Sequence, residues 1–159
     1  MAVQNAYGVA TDTKRWDWLA DLFTADAEIE HRNGPDPSEH QRWEDRASWL
    51  DSFAGGFEAN LLASQHMMLS HLAKVDGDRA RAFCYGNVLI VPKADPAALV
   101  TTTAYYDDSL VRVDGAWRIS RRTLQQTLAR TTAEITPIDT MVSAAGEAAA
   151  GRLDFMNDD

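Results

Sequence analysis

Apolar residues recur at spacings of three and four through the first part of the chain: Val9, Trp16, Leu19 and Phe23, with Asp12 in register among them. That spacing is one face of a helix, or of two helical pieces bent near Thr11 to Thr13. Asp12 is an acid where a core residue is expected. The period then changes: "AEIEH" alternates and predicts a short strand ending at His31. "RNGPDPSEH" gathers turn formers and predicts a loop. Ser38 can cap a following helix, on which Trp43, Ala47, Leu50 and Ala54 share a face and which Gly55-Gly56 stops.

From there to about Leu128 the pattern predicts antiparallel sheet. "VDGD" (Val75 to Asp78) and "VDGA" (Val113 to Ala116) place Asp-Gly between apolar runs, the strongest short hairpin signal, and "PKADPAA" is a loop between the hairpins. The order is α+β: N-terminal helices over one face of a strongly curved mixed or antiparallel sheet. Such a sheet forms a cone-shaped barrel whose wide end is a natural pocket for a small molecule. The chain reads as one domain over residues 1–159, with a C-terminal extension from about 131 that is partly helical after Pro137 and frayed at its acidic end.

Composition narrows the partners. The formal charge is −9, which argues against a nucleic-acid groove or an anionic membrane and suits a small neutral or weakly charged ligand. No apolar run reaches the length of a membrane span, the first residues lack the halves of a signal peptide, and Cys84 is the lone cysteine; a cytoplasmic location is the expectation.

Two of the four histidines, His66 and His71, lie on one predicted strand. Alternation puts His66, Met68, Ser70 and Leu72 on one face and Met67, Leu69, His71, Ala73 and Val75 on the other. Their separation is odd, so only one faces the cone unless a bulge intervenes. There is no HExxH, and His31 and His40 fall in different elements; no metal and no cofactor are expected.

"ATDTKRWDWLADLFTADAEIEH", "ASQHMMLSHLAKVDGDRARAF" and "YYDDSLVRVDGAWRISRRT" resemble the SnoaL-like branch of the nuclear-transport-factor-2-like superfamily, nearest to scytalone dehydratase and the bile-acid dehydratases. The resemblance spans roughly Asn5 to Thr123 and implies the cone-shaped α+β fold. In those dehydratases an aspartate before the "W-D" of the first helices pairs with a histidine on the first long strand; the matching positions are Asp12 and His66. The resemblance thus selects His66 for the interior and leaves His71 on the outer face, at a subunit contact or in solvent. The family's carbonyl-polarising tyrosine falls on His31, and the tyrosine beside its aspartate on Thr11. A second family histidine falls near Ile90 and is absent, and small polar residues of the third long strand fall on Ala104 and Tyr106. The proton-handling pair is kept while the substrate-gripping set is changed.

Proton abstraction next to a carbonyl needs a base with a pKa near the working pH, which imidazole supplies. A carboxylate on its other nitrogen fixes the tautomer and stabilises the imidazolium. His66 is therefore read as general base and acid and Asp12 as its orienter; the reverse assignment stays open, as does a structural alternative in which Asp12 caps a helix near Lys14 and His66 is a satisfied core histidine. His31 and Tyr106 would stabilise the enolate oxygen. With Asp114-Gly115 as the turn, Tyr106 lies opposite Thr123, shares a face with Leu110, Trp117 and Ile119, and leaves Asp108/Arg121 and Asp107/Arg122 as cross-strand charge pairs. With Asp76-Gly77 as the turn, Asn87 lies opposite His66 and Tyr85 lines the same face; a one-residue difference would substitute Cys84, Val88 and Ile90. Tyr7 and Met68 complete the expected substrate contacts. The expected activity is a cofactor-independent lyase or isomerase acting on a small apolar carbonyl compound, a dehydratase first and a cyclase or double-bond isomerase second. The alternative from another class is a non-catalytic ligand-binding protein or a subunit like the dioxygenase β subunits. An exposed outer sheet face predicts a homodimer or homotrimer.

Overall fold

In the computed structural model, which describes residues 2–33 and 36–133, two helices precede the first strand: α1 (Ala2–Asp12) and α2 (Trp16–Asp21). They are followed by β1 (Phe23–Arg32), β2 (His40–Trp43), α3 (Arg46–Asn60), and four long strands: β3 (Leu61–Asp76), β4 (Arg79–Pro92), β5 (Ala98–Val113) and β6 (Ala116–Ala133). One six-stranded sheet runs in the order β2-β1-β6-β5-β4-β3. Only β1 and β6 pair in parallel, so the sheet is mixed. Helices α1 and α3 lie in its concave face. The core there is aromatic: Tyr7, Phe23, Trp49 and Tyr106 are all at most 1% exposed. The α+β curved sheet expected from the sequence is the fold. No helix among the described residues is long and apolar enough to cross a membrane.

Several local expectations are corrected. The first helical face breaks into two pieces, as the bend near Thr11 to Thr13 allowed, but Phe23 begins β1 rather than ending α2. Trp43 closes the short strand β2, where it pairs with Ile29, instead of opening a helix. Asp45, not Ser38, caps α3: its side chain accepts a hydrogen bond from the Ser48 amide at 2.8 Å. Gly55-Gly56 does not stop α3, which continues one turn further to Asn60. Glycine weakens a helix but does not forbid it; here Phe53 and Phe57, one turn apart, support the helix with a tilted ring contact at 4.6 Å. The extension expected from about 131 starts inside β6, and the helix expected after Pro137 lies outside the described residues.

Both hairpins form, and two bulges set their registers. In the first, Asp76 pairs with Arg79, so Gly77-Asp78 are the turn residues. Two residues, Ser70 and His71, then oppose one on β4, with Ser70 in the left-handed region at φ 55°. The net shift places His66 opposite Val88, not Asn87. In the second hairpin Asp114-Gly115 is the turn as expected, but Ser120 is an extra residue on β6. Tyr106 therefore lies opposite Leu124 and Asp108 opposite Arg122, each one residue from the unbulged register.

Candidate functional site

Helix α1 ends where it meets β3. Gly8 permits the approach: a Cβ there would stand 3.1 Å from His66 Cβ and 3.3 Å from Met68 Cγ. This delivers the last residue of the helix, Asp12, onto β3. Its Oδ2 accepts the His66 backbone N–H at 2.6 Å, and its Oδ1 accepts the Ser64 hydroxyl at 2.8 Å and the His66 Nδ1–H at 2.6 Å. A carboxylate can only accept, so the imidazole proton sits on Nδ1 and the lone pair on Nε2. The His66 side chain is 5% exposed, and among the described residues its Nε2 makes no hydrogen bond. The capping alternative for Asp12 is not realised, since α2 starts after Arg15 with no side-chain cap.

Rings enclose this pair. Tyr7 stands edge-on to His66 at 5.9 Å, Phe57 is nearly parallel to it at 6.4 Å, and Tyr106 meets Tyr7 at 5.6 Å. Tyr106 fits because β4 carries Gly86 beneath it, where a Cβ would come within 2.6 Å of the ring. Burial raises the Tyr7 hydroxyl to about 12 and that of Tyr106 well above its ordinary value, so both are neutral donors. Between β1, β2 and α3 a cavity of about 300 Å³ is lined by His31, Gln41, Trp43, Ser52, Phe53 and Phe57, among others. His66 does not line it; Phe57, on the cavity wall, is the ring that covers His66.

His31 stands on that wall at the end of β1, 8% exposed, edge-on to Trp43 at 5.1 Å. Burial first, and the Arg122 charge second, lower its pKa to about 4. It is a neutral imidazole with Nε2 buried and unpartnered. Such a group is equipped to donate to, or accept from, a ligand atom.

Behind the rings lies a second polar cluster that sequence reasoning missed. The bulge at Ser70 turns His71 inward, correcting its expected place on the outer face. His71 Nδ1 meets Gln4 Oε1 at 3.0 Å, and Gln4 Nε2 donates to Asp108 Oδ2 at 2.9 Å. Asp108 also receives a bidentate pair from Arg122, at 2.7 and 2.8 Å, with both residues fully buried. Burial alone would lower the guanidinium, but Asp108 outweighs it and holds Arg122 above its ordinary value. The Arg122 guanidinium lies 4.1 Å over the Tyr7 ring and 5.0 Å over Tyr106. The expected pairs Asp108/Arg121 and Asp107/Arg122 are thus replaced by Asp108–Arg122 inside and Arg81–Asp107 outside. Only the one-residue bulge at Ser120 hid this. Ser64 was legible: it shares the His66 face by alternation.

The other substrate contacts divide. Tyr7 and Tyr106 adjoin the site, and Met68 packs beneath α1 rather than on the cavity wall. Tyr85 is corrected to the outer face, 52% exposed and edge-on to Phe83, and Asn87 shares that face opposite Met67. The shifted register instead buries Cys84 and Val88, and burial raises the Cys84 thiol to about 12.

A curved α+β cone holding a buried carboxylate–histidine pair defines the class of protein. The model of the SnoaL-like domain matches residues 1–123, and the chain belongs to that family. An uncharacterized protein of Mycobacterium tuberculosis is 32% identical over 120 residues, covering 73% of this chain and 75% of its own. Two solved structures share the fold at lower identity. A candidate scytalone dehydratase from Novosphingobium aromaticivorans superposes with a TM-score of 0.70 at 19% identity, covering 86% of this chain and 89% of that one. The hexachlorocyclohexane dehydrochlorinase LinA-type3 from Novosphingobium barchaimii does so with a TM-score of 0.70 at 16% identity, covering 84% and 87%.

Proposed function

We propose that this protein is a cofactor-independent lyase or isomerase that removes a proton next to a carbonyl, with dehydration of a small apolar hydroxy-carbonyl compound as its reaction. The observation that carries this is the grip of Asp12 on His66: one carboxylate holds both the ring Nδ1 and the backbone N–H of the same residue at 2.6 Å. This fixes Nε2 as a base and stabilises the imidazolium formed when it takes the α-proton. The electrons of the broken C–H bond move into an enolate. His66 then returns its proton to the departing hydroxyl, water leaves, and the double bond forms. His31 and the Tyr106 hydroxyl are neutral groups assigned to bond the enolate oxygen. The family's lyase-named structural relatives agree with the chemistry but not with any substrate. If the enolate is instead reprotonated or attacks a second carbonyl, the same groups perform isomerisation or cyclisation.

For a substrate to reach Nε2 from the cavity, Phe57 must swing aside, and Gly55-Gly56 beside it, with open space around both, give that end of α3 the freedom to do so. The filled interior is also what supports the non-catalytic reading, a ligand-binding subunit. Leu69, Leu72 and Tyr85, each more than half exposed on the outer face of β3 and β4, support association of two or three copies.

The test is exchange of α-protons for solvent deuterium, and loss of water, across a panel of β-hydroxy ketones, followed by mass spectrometry. His66→Ala should lower the rate by about 10²–10⁴-fold, the range for a general base, and Asp12→Asn by a substantial part of that. Both variants working within a few fold of the parent would sink the reading.

A further inference from the structure

A cleft far in character from the aromatic mouth opens where β1 leaves β6. The two strands pair at Phe23↔Ile119 and again only from Glu28↔Arg121, and the gap leaves a depression of about 300 Å³. Its walls are Phe23, Ala25 and Val113, its polar groups Thr24, Arg46, Arg118 and Asp21. None of these residues lines the mouth cavity.

Three features of this cleft go beyond what the fold needs. Arg46 spends only Nη1, on the carbonyls of Ala20 and Phe23 at 3.1 and 3.2 Å, and has no carboxylate partner among the described residues; the fork of Nε and Nη2 is unused. The Thr24 hydroxyl is buried with no partner. Arg118 donates to the Asp21 carbonyl and stands 3.9 Å from the Asp21 carboxylate, a loose pair with the acid 75% exposed. The Thr24 hydroxyl is an unsatisfied buried group, and the Arg46 fork is a cation with no counter-charge among the described residues and two nitrogens open to a ligand. One oxyanion between them satisfies both, and a guanidinium fork matches its geometry.

We propose that this cleft is a second binding site, for the carboxylate or phosphate group of a small organic molecule whose apolar part rests on Ala25 and Val113. The apolar walls and the volume fit an organic anion better than a bare ion. The site does not depend on the Asp12–His66 reading.

Benzoate and inorganic phosphate are the probes, each titrated into ¹⁵N-labelled protein with amide shifts and calorimetry as readouts. Benzoate should move the amides of Thr24, Ala25 and Arg118 saturably. Arg46→Gln should weaken it about tenfold or more and Thr24→Val several fold, as for lost charge-assisted and neutral hydrogen bonds. Because Arg46 also tethers two carbonyls, its variant is to be checked by thermal melting. Asp21→Asn avoids that concern: it removes the competing anion, leaves the carbonyl bond to Arg118, and should tighten binding two- to threefold. Phosphate binding while benzoate fails still supports an oxyanion site and assigns it to phosphorylated ligands. No saturable shift with either probe at tens of millimolar overturns the proposal, as does unchanged or weaker binding in Asp21→Asn. His66→Ala should bind benzoate as the parent does, which separates this site from the proposed catalytic one.

Discussion

Asp12 ends α1 and Asp108 lies on β5, bonded to Gln4 of that helix; each carboxylate is bonded by three donor groups, yet only one of them holds the histidine proposed as the base. Asp108 is wholly buried and held by both arms of Arg122 plus Gln4. Asp12 is 18% exposed and held by a hydroxyl, a backbone N–H and an imidazole, with no arginine or lysine bonded to it among the described residues. Arginine does not give up its proton, so the charge at Asp108 is permanently answered. At Asp12 the one ionisable side chain bonded to the carboxylate among the described residues is a histidine, a side chain able to take up and release a proton. The two histidines on β3 divide in the same way. His66 meets a carboxylate; His71 meets the oxygen of a neutral amide whose nitrogen donates to Asp108. A shared strand and a shared inward direction do not make them equivalent; their partners do.

The comparison is broken most directly at Arg122. Arg122→Met leaves Asp108 buried without its cation and removes the charge seated over Tyr7 and Tyr106. A loss of about 3–5 kcal/mol is expected, the cost of stranding one member of a buried pair. Asp12→Asn keeps the shape and strands no buried charge; it replaces one accepting oxygen by an amide nitrogen that cannot accept, and should cost about 1.5–3 kcal/mol, the range for hydrogen bonds to a charged group. Urea unfolding of both variants measures the difference. Equal losses would show that Asp12 is as structural as Asp108.

The sequence revealed the Asp12–His66 half of this comparison, the one proposed to be reactive, and concealed the Asp108–Arg122 half. The Asp12–His66 pair and the inward facing of His66 both followed from the family resemblance; alternation only set His66 apart from His71. Tyr106 was also placed correctly with Leu110 and Ile119, all three buried. What failed were the bulges. Ser70 adopts a positive φ that glycine or asparagine would have advertised, and Ser120 sits among "RISRRT" with no turn signal. Each insertion flips the facing of everything beyond it, so His71 was sent outward and Arg122 matched to the wrong aspartate. A buried arginine is also contrary to its ordinary surface preference, and only its partner explains it. The continuation of α3 through Gly55-Gly56 was hidden for a similar reason: the ring packing that sustains it is tertiary.

A smaller effect tests whether His71 belongs wholly to the structural half. His71→Leu removes the donor to Gln4 Oε1, whose residue is 1% exposed. The stranded acceptor should cost about 1–3 kcal/mol, while α-proton exchange stays within a few fold of the parent. Gln4→Leu should cost a similar amount, and the double variant less than the sum, because the two share one bond. A large loss of exchange activity in His71→Leu with stability intact would move His71 to the reactive side.

The smallest expected effect lies at His31, which sits between the two clusters: it lines the cavity and feels the Arg122 charge. Its folded pKa is about 4 against an ordinary 6.5. Between those values the unfolded chain binds a proton at this residue and the folded chain does not. Its contribution to stability is therefore complete above pH 6.5 and is lost progressively as the pH falls toward 4. From pH 7 to pH 6 the loss is less than about 1 kcal/mol by this linkage. His31→Phe should flatten stability over that window. Glu30 supplies the internal control. Its bonds to Arg32 hold it down at about 2, so the stability it contributes is lost as the pH falls below its ordinary 4.5, overlapping the His31 window only at its acid end. If His31→Phe leaves the slope between pH 6.5 and 4 unchanged, His31 is not a neutral buried imidazole, and its assignment as a donor to an enolate oxygen falls with it.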